Sequence, residues 1–182
     1  MRQIPTWVWI LGGVVLLAAL STGGVVVSNY LTAAWMSSSN AQKWAPFLQS
    51  IEDQVGLPPG LLARIAYQES RFRDDIISGI KASSAGALGM MQLMPQYFAT
   101  VRRPIPFSEE DTQDQIVEAA TLLANLFNHF QDWTLAVAAY NAGQHAIDKV
   151  LANTAPLRPE TANYLTQVSA DLPAIVNPTL TA

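Results

Sequence analysis

The sequence predicts a mainly α, compact helical domain with one small irregular loop or sheet region, preceded by a single N-terminal transmembrane helix. Three observations predict it. Apolar residues after position 44 recur at helical spacing, residues 76–90 gather Ser78, Gly79, Ser83, Ser84, Gly86 and Gly89 instead, and forty residues without a charge lie between Arg2 and Lys43.

Inside the uncharged stretch, Trp7 to Val27 is a run of 21 mostly apolar residues. As a helix it would span roughly 30 Å, the thickness of a bilayer's hydrocarbon core. Trp7 and Trp9 stand at one end, with Tyr30 and Trp35 beyond the other, where amphipathic rings favour the interface. A cleaved signal peptide is the rival, with Arg2 as its basic start, Ile10 to Leu20 as its core and Ala19-Leu20-Ser21 as a small-x-small cleavage site. The apolar run resumes at Val25 to Val27, which a signal peptide does not need, so a retained anchor is the reading taken. Arg2 places the N-terminus in the cytoplasm by the positive-inside rule. Either version exports residues 43 onward. The expected organisation is an anchor over 1–31, a polar tether over 32–44, a domain over 45–175 and a tail over 176–182.

Beyond the tether, Phe47, Leu48, Ile51 and Val55 mark a helix that stops at Gly56, and Pro58-Pro59-Gly60 opens the next, Leu61 to Ser70. Ser108-Glu109-Glu110-Asp111 is a capping-box start. The longest helix follows it, with Ile116, Ala119, Ala120, Leu123, Leu126, Phe127 and Phe130 on one stripe. Trp133 to Ala142 is a further helix, with Gly143 as its left-handed cap. Gln144 to Leu151 and Pro159 to Leu172 complete the set, and Pro159 suits a first helical turn.

The chain has 182 residues, 50% of them hydrophobic and 13% charged, with no cysteine. The residues after 42 hold all fourteen acids against nine bases, net −5, which argues against a nucleic-acid binder with its basic face. Absence of cysteine removes disulfides, thiolate metal sites and a Cys nucleophile. His129 and His145 read as structural or surface residues, with no metal cluster and no cofactor expected, and Arg102-Arg103 as a small solvated basic spot.

The Leu61–Ser70 helix carries the first chemical signal. Its apolar stripe runs Leu61, Leu62, Ile65, Ala66, and the next position on it is Glu69. A carboxyl group on an apolar face is desolvated, which keeps it protonated near neutral pH, as a proton donor to a glycosidic oxygen must be. Position alone equally allows an exposed Glu69 at a helix end, paired with Arg71 or Arg73.

Four segments then occur in order: Glu69-Ser70-Arg71-Phe72, Gly86-Ala87-Leu88-Gly89-Met90-Met91-Gln92-Leu93-Met94-Pro95, Ala138-Ala139-Tyr140-Asn141-Ala142-Gly143, and Glu160-Thr161-Ala162-Asn163-Tyr164-Leu165. Together they resemble the catalytic domain of the Slt-type lytic transglycosylases, within the goose-type lysozyme superfamily, over roughly residues 45 to 170. The resemblance implies a lysozyme-like α+β fold and peptidoglycan glycan strands as substrate. It implies that Glu69 is the single catalytic acid/base, cleaving between MurNAc and GlcNAc to leave a 1,6-anhydro sugar. It also implies that Ser83 holds or polarises the N-acetyl group, that Gln92 and Met94 line the sugar sites, and that Tyr140 packs by the scissile region with Asn141 beside it. Glu160 would contact the strand or order the groove.

Plainer roles stand beside these. Met90 reads as core filler, Gln92 as satisfying loop backbone, Asn141 as serving a local turn, Glu160 as favoured by the helix dipole, and Tyr164 as core beside Leu165 and Val168. Two departures from the family pattern matter. Glu69 and Gln92 are 23 positions apart, longer than usual, with the extra residues within Ile76 to Ala82, and Ala162 stands where the last motif usually has arginine. The rival enzyme is a goose-type lysozyme, which hydrolyses the same bond and needs a second carboxylate; no Asp or Glu occurs between Ile76 and Gln92. A non-catalytic wall-binding protein is the rival from another class. The expected partners are the glycan strand and the cytoplasmic membrane. The setting stays open between bacterial wall remodelling, an envelope-spanning secretion apparatus and a phage virion.

Overall fold

A computed structural model describes residues 33–172, which form seven α-helices and two short 3-10 turns. In chain order the helices are α1 (Ser39–Val55), α2 (Leu61–Ser70), α3 (Asp74–Ile77), α4 (Glu109–Phe130), α5 (Trp133–Ala142), α6 (Gln144–Leu151) and α7 (Pro159–Asp171). The apolar run Trp7–Val27, with its expected membrane helix, lies outside the described residues. Among the described residues no helix is long and apolar enough to cross a membrane.

The first helix begins earlier than its apolar pattern suggests. Pro46 lacks an N–H and looks like a helix start, yet α1 runs through it. Its first turn is secured by Ser38, whose hydroxyl accepts from the Ala41 N–H at 3.1 Å. Ala41, Trp44 and Ala45 are buried, as is Met36 in the turn before. The segment expected as a polar tether over 32–44 is therefore folded into the domain from Ala34 onward.

Helix α1 packs on α4, α4 on α5, α5 on α7, α7 on α2, and α2 closes back on α1. The ring encloses one core, including Leu48, Leu62, Ile65, Ile116, Leu123, Val137 and Leu165. Each fully buried aliphatic side chain of this kind contributes about 2 kcal/mol. The capping box of α4 forms as expected, with the Ser108 hydroxyl accepting from the Asp111 N–H and the Asp111 carboxylate accepting from the Ser108 N–H.

Of the two forms expected for the irregular region, loop or small sheet, the described residues take the loop, with one isolated antiparallel bridge between Leu88 and Leu93. One expectation is corrected. Gly143 is not a left-handed cap: at φ 87°, ψ 142° it lies in a region essentially reserved for glycine, and it ends α5 and begins α6 at once. That single residue turns the chain sharply enough to seat α6 against α5.

Candidate active site

Helix α2 enters the core with Leu61, Leu62, Ile65 and Ala66 all 0% exposed, and Glu69 continues that stripe to the point where the core opens into a cleft. The helix has Gly60 at its N-cap and hence no capping side chain of its own. Glu52 of α1, 1% exposed, supplies one from a distance: its carboxylate accepts from the Gly60 N–H at 2.7 Å and the Ala63 N–H at 3.1 Å. Burial raises the Glu52 pKa to about 7 against the opposing pull of these backbone donors.

At the other end the chain turns abruptly. Arg71 and Phe72 both adopt positive φ, 53° and 52°, a costly conformation for residues with side chains. Ser70 holds the turn: its hydroxyl donates to the Ala66 carbonyl at 2.8 Å and accepts from the Phe72 N–H at 3.1 Å. The Asn40 side-chain amide of α1 donates to the Phe72 carbonyl at 2.9 Å. Glu69 thus stands in the last turn, one residue before the end, of a helix pinned at both ends by α1.

The cleft over Glu69 has a volume of about 290 Å³ and is walled by Gln68 of α2, Asn141 of α5, and Glu160, Asn163, Tyr164 and Gln167 of α7. The α7 residues recur at i, i+3, i+4 and i+7, one face of the helix. Tyr164 donates its hydroxyl to Glu69 Oε1 at 2.6 Å. The Glu69 carboxyl is pushed up to about 7, first by burial; the Tyr164 hydrogen bond pulls it down and the Glu160 charge pushes it up. Arg73 pairs with Asp75, and Arg71 lies over the Tyr67 ring with a contact to Gln167. Neither arginine is the partner of Glu69 that its position allowed.

The other expected site residues divide. Asn141 and Glu160 wall the cleft, and the Thr161 hydroxyl donates to Asn141 Oδ1 at 2.9 Å. Tyr140 does not wall it but donates its hydroxyl to the Met91 carbonyl at 2.8 Å, fastening the glycine-rich loop to α5. Burial and the nearby Glu69 charge both raise the Tyr140 pKa. Gln92 takes φ 48° and donates to the Gly89 carbonyl at 2.9 Å, the loop-backbone role. Ser83 is exposed, and its hydroxyl accepts from the Ala87 N–H at 2.9 Å, organising its own turn. Met94 is half-buried and, like Ser83 and Gln92, is not a wall of the cleft.

The loop is held from below by a close approach. A Cβ on Gly89 would fall 1.9 Å from the Oε1 of Gln115, a fully buried α4 side chain, and Gly89 has φ +76°. Among the described residues no group of three or more His, Asp or Glu is placed to hold a metal ion.

Helical spacing places Tyr164 in the core; its ring is buried, but its hydroxyl reaches Glu69. Asn163, Gln167 and Gln68 wall the cleft without a sequence signal, because single carboxamides carry no pattern of their own.

One buried acid at the foot of a polar cleft, in a helical domain with a glycine-rich loop beside it, is the arrangement expected of a lysozyme-like domain. The family model described as the Transglycosylase SLT domain matches residues 47–163, more than half of the chain. The chain belongs to this family of Slt-type lytic transglycosylase domains.

Proposed function

We propose that the chain cleaves the β-1,4 bond between MurNAc and GlcNAc of peptidoglycan without consuming water, with Glu69 acting first as acid and then as base. Protonated Glu69 donates to the bridging oxygen, and the GlcNAc leaves with that proton. The C6 hydroxyl of the same MurNAc attacks C1, and the Glu69 carboxylate takes the hydroxyl proton. The products are a 1,6-anhydroMurNAc end and a free GlcNAc end. One carboxylate suffices because the nucleophile is already tethered to the reacting sugar, which gives it a high effective concentration.

The observation that carries this reading is the Glu69 carboxyl itself, desolvated to a pKa of about 7 at the foot of the cleft and hydrogen-bonded by Tyr164. A group with that pKa serves as donor and acceptor within one turnover near neutral pH. Mass spectrometry of digested peptidoglycan tests it. Anhydro-muropeptides are the expected products; reducing-end muropeptides, heavier by one water, overturn it.

A second reading is hydrolysis of the same bond, and Glu160 favours it. No acid lies between Ile76 and Gln92, but Glu160 brings a second carboxylate to the cleft, one helical turn from Tyr164 on α7. In that reading Glu160 activates water. The same product analysis separates the two.

The substrate lies outside the cytoplasmic membrane, so the proposal includes export of the domain. Trp7–Val27 is retained as its anchor, with the N-terminus in the cytoplasm. Membrane fractionation of the full chain tests the anchor: recovery of the mature protein shortened and free of membrane overturns it.

A further inference from the structure

A second cleft, of about 380 Å³, lies between α6, the loop over 152–158 and the start of α7. Its floor is apolar, including Ile147 and Leu157, and its rim carries His145, Lys149 and Arg158. No acidic side chain is among its walls. The nearest acids in sequence are engaged elsewhere: Asp148 binds the His129 imidazole at 2.8 Å, and Glu160 faces the first cleft. Among the described residues neither Lys149 nor Arg158 forms an ion pair, although acids outnumber bases in this part of the chain.

The two clefts share a wall one hydrogen bond thick. Asn141 lines the first, Thr161 lines the second, and the Thr161 hydroxyl donates to Asn141 Oδ1 at 2.9 Å. A glycan strand seated over Glu69 brings with it the peptide attached to the lactyl group of the reacting MurNAc. That peptide carries free carboxylates on a short aliphatic backbone, which matches an apolar floor with a cationic rim.

We infer that the α6–α7 cleft binds the anionic stem peptide of the MurNAc residue whose glycosidic bond is broken over Glu69, with Lys149 and Arg158 taking its carboxylates. This rests on the substrate assigned above. It adds a specificity the first cleft cannot supply: strands that still bear peptides are preferred over strands that have lost them. The charges lie at the rim and stay solvated, so the preference is modest, about tenfold in kcat/KM for the two contacts together.

The experiment compares the parent with a Lys149→Gln/Arg158→Gln double variant on two substrates. One is intact peptidoglycan, and the other is the same glycan stripped of its peptides by an amidase. The expected result is a tenfold loss on the intact substrate and none on the stripped one, whose cleavage also certifies the fold of the variant. Equal losses on both substrates, or none on either, overturn the inference. Titration of the parent and the variant with the synthetic N-acetylated tripeptide N-acetyl-L-alanyl-γ-D-glutamyl-L-lysine, which is net anionic, followed by NMR, reads the site without turnover. Shifts at α6 and at the start of α7 in the parent alone support it, and their absence from the parent overturns it. If the parent cleaves neither substrate, the glycan-cleaving proposal fails, and the titration still decides whether the cleft takes the peptide.

Discussion

The Tyr164 hydroxyl meets Glu69 Oε1 at 2.6 Å where α7 crosses the end of α2, and Glu160, four residues earlier on α7, faces the same carboxyl through the cleft. The two α7 side chains act on the acid in opposite directions. The phenol donates to the ionised form and stabilises it, whereas the neighbouring carboxylate repels it.

Replacing Tyr164 with Phe removes the influence that lowers the Glu69 pKa. The acid then stays protonated to higher pH, and the alkaline limb of the kcat/KM profile moves upward from about 7. A pH series on peptidoglycan measures this, and a downward or absent shift refutes the assignment of Tyr164.

Glu160→Gln has the opposite sign. Losing the repulsion lowers the Glu69 pKa, so the alkaline limb moves down and the variant weakens first above neutrality. If Glu160 instead activates water, product release stops across the whole pH range and no simple displacement of the limb is seen.

Glu69→Gln is expected to abolish cleavage and to stabilise the fold at alkaline pH. The Glu69 pKa rises from 4.5 to about 7 on folding, so the native state holds the proton that the unfolded chain gives up. Stability from this group is full below about 4.5, falls as pH rises through the window to about 7, and is constant beyond. The full window corresponds to about 3 kcal/mol for a shift of this size. Thermal melts at pH 5 and pH 8 should show the parent losing more stability than the variant between them. A variant that still clears peptidoglycan at the parental rate removes Glu69 from its role.

Glu52→Gln keeps one acceptor for the α2 terminus and loses the other, and its amide N–H₂ faces backbone donors. The expected cost is about 1–3 kcal/mol, seen as a lower denaturant midpoint. Retention of the parental midpoint would show that α2 does not depend on this cap.

Gly89→Ala places a methyl against Gln115 in a left-handed conformation, and we expect a loss of roughly 2–4 kcal/mol. Adding Gln115→Ala relieves the clash but not the backbone strain. Partial recovery of stability in the double variant is therefore the signature; full recovery or none would locate the cost elsewhere.

How far the sequence was legible depended on whether neighbours in space were also neighbours in sequence. The α4 capping box and the stripe leading to Glu69 are local patterns, and both were read correctly. The start of α1 was hidden because Pro46 imitates a helix start while the true cap, Ser38, lies in a run of serines. Tyr164 shares helical spacing with Leu165 and Val168, so the stripe accounts for its ring and says nothing of its hydroxyl. Glu52 carries the same signal as Glu69: it stands four residues after Leu48 on the buried face of α1, an acid among apolar neighbours. The anchor expected over Trp7–Val27 and the tail over 176–182 fall outside the described residues.

Two side chains of the first helix reach the ends of the second: Glu52 takes its leading N–H groups, and Asn40 takes the Phe72 carbonyl beyond its end. The family match begins at residue 47, after Asn40 and after the Ser38 cap. A chain shortened only at its start, to begin at residue 47, would keep every signature segment, yet release the brace on the turn that follows Glu69. The smallest autonomous folding unit should therefore start upstream of Ala34, so its border and that of the recognisable motif fall in different places.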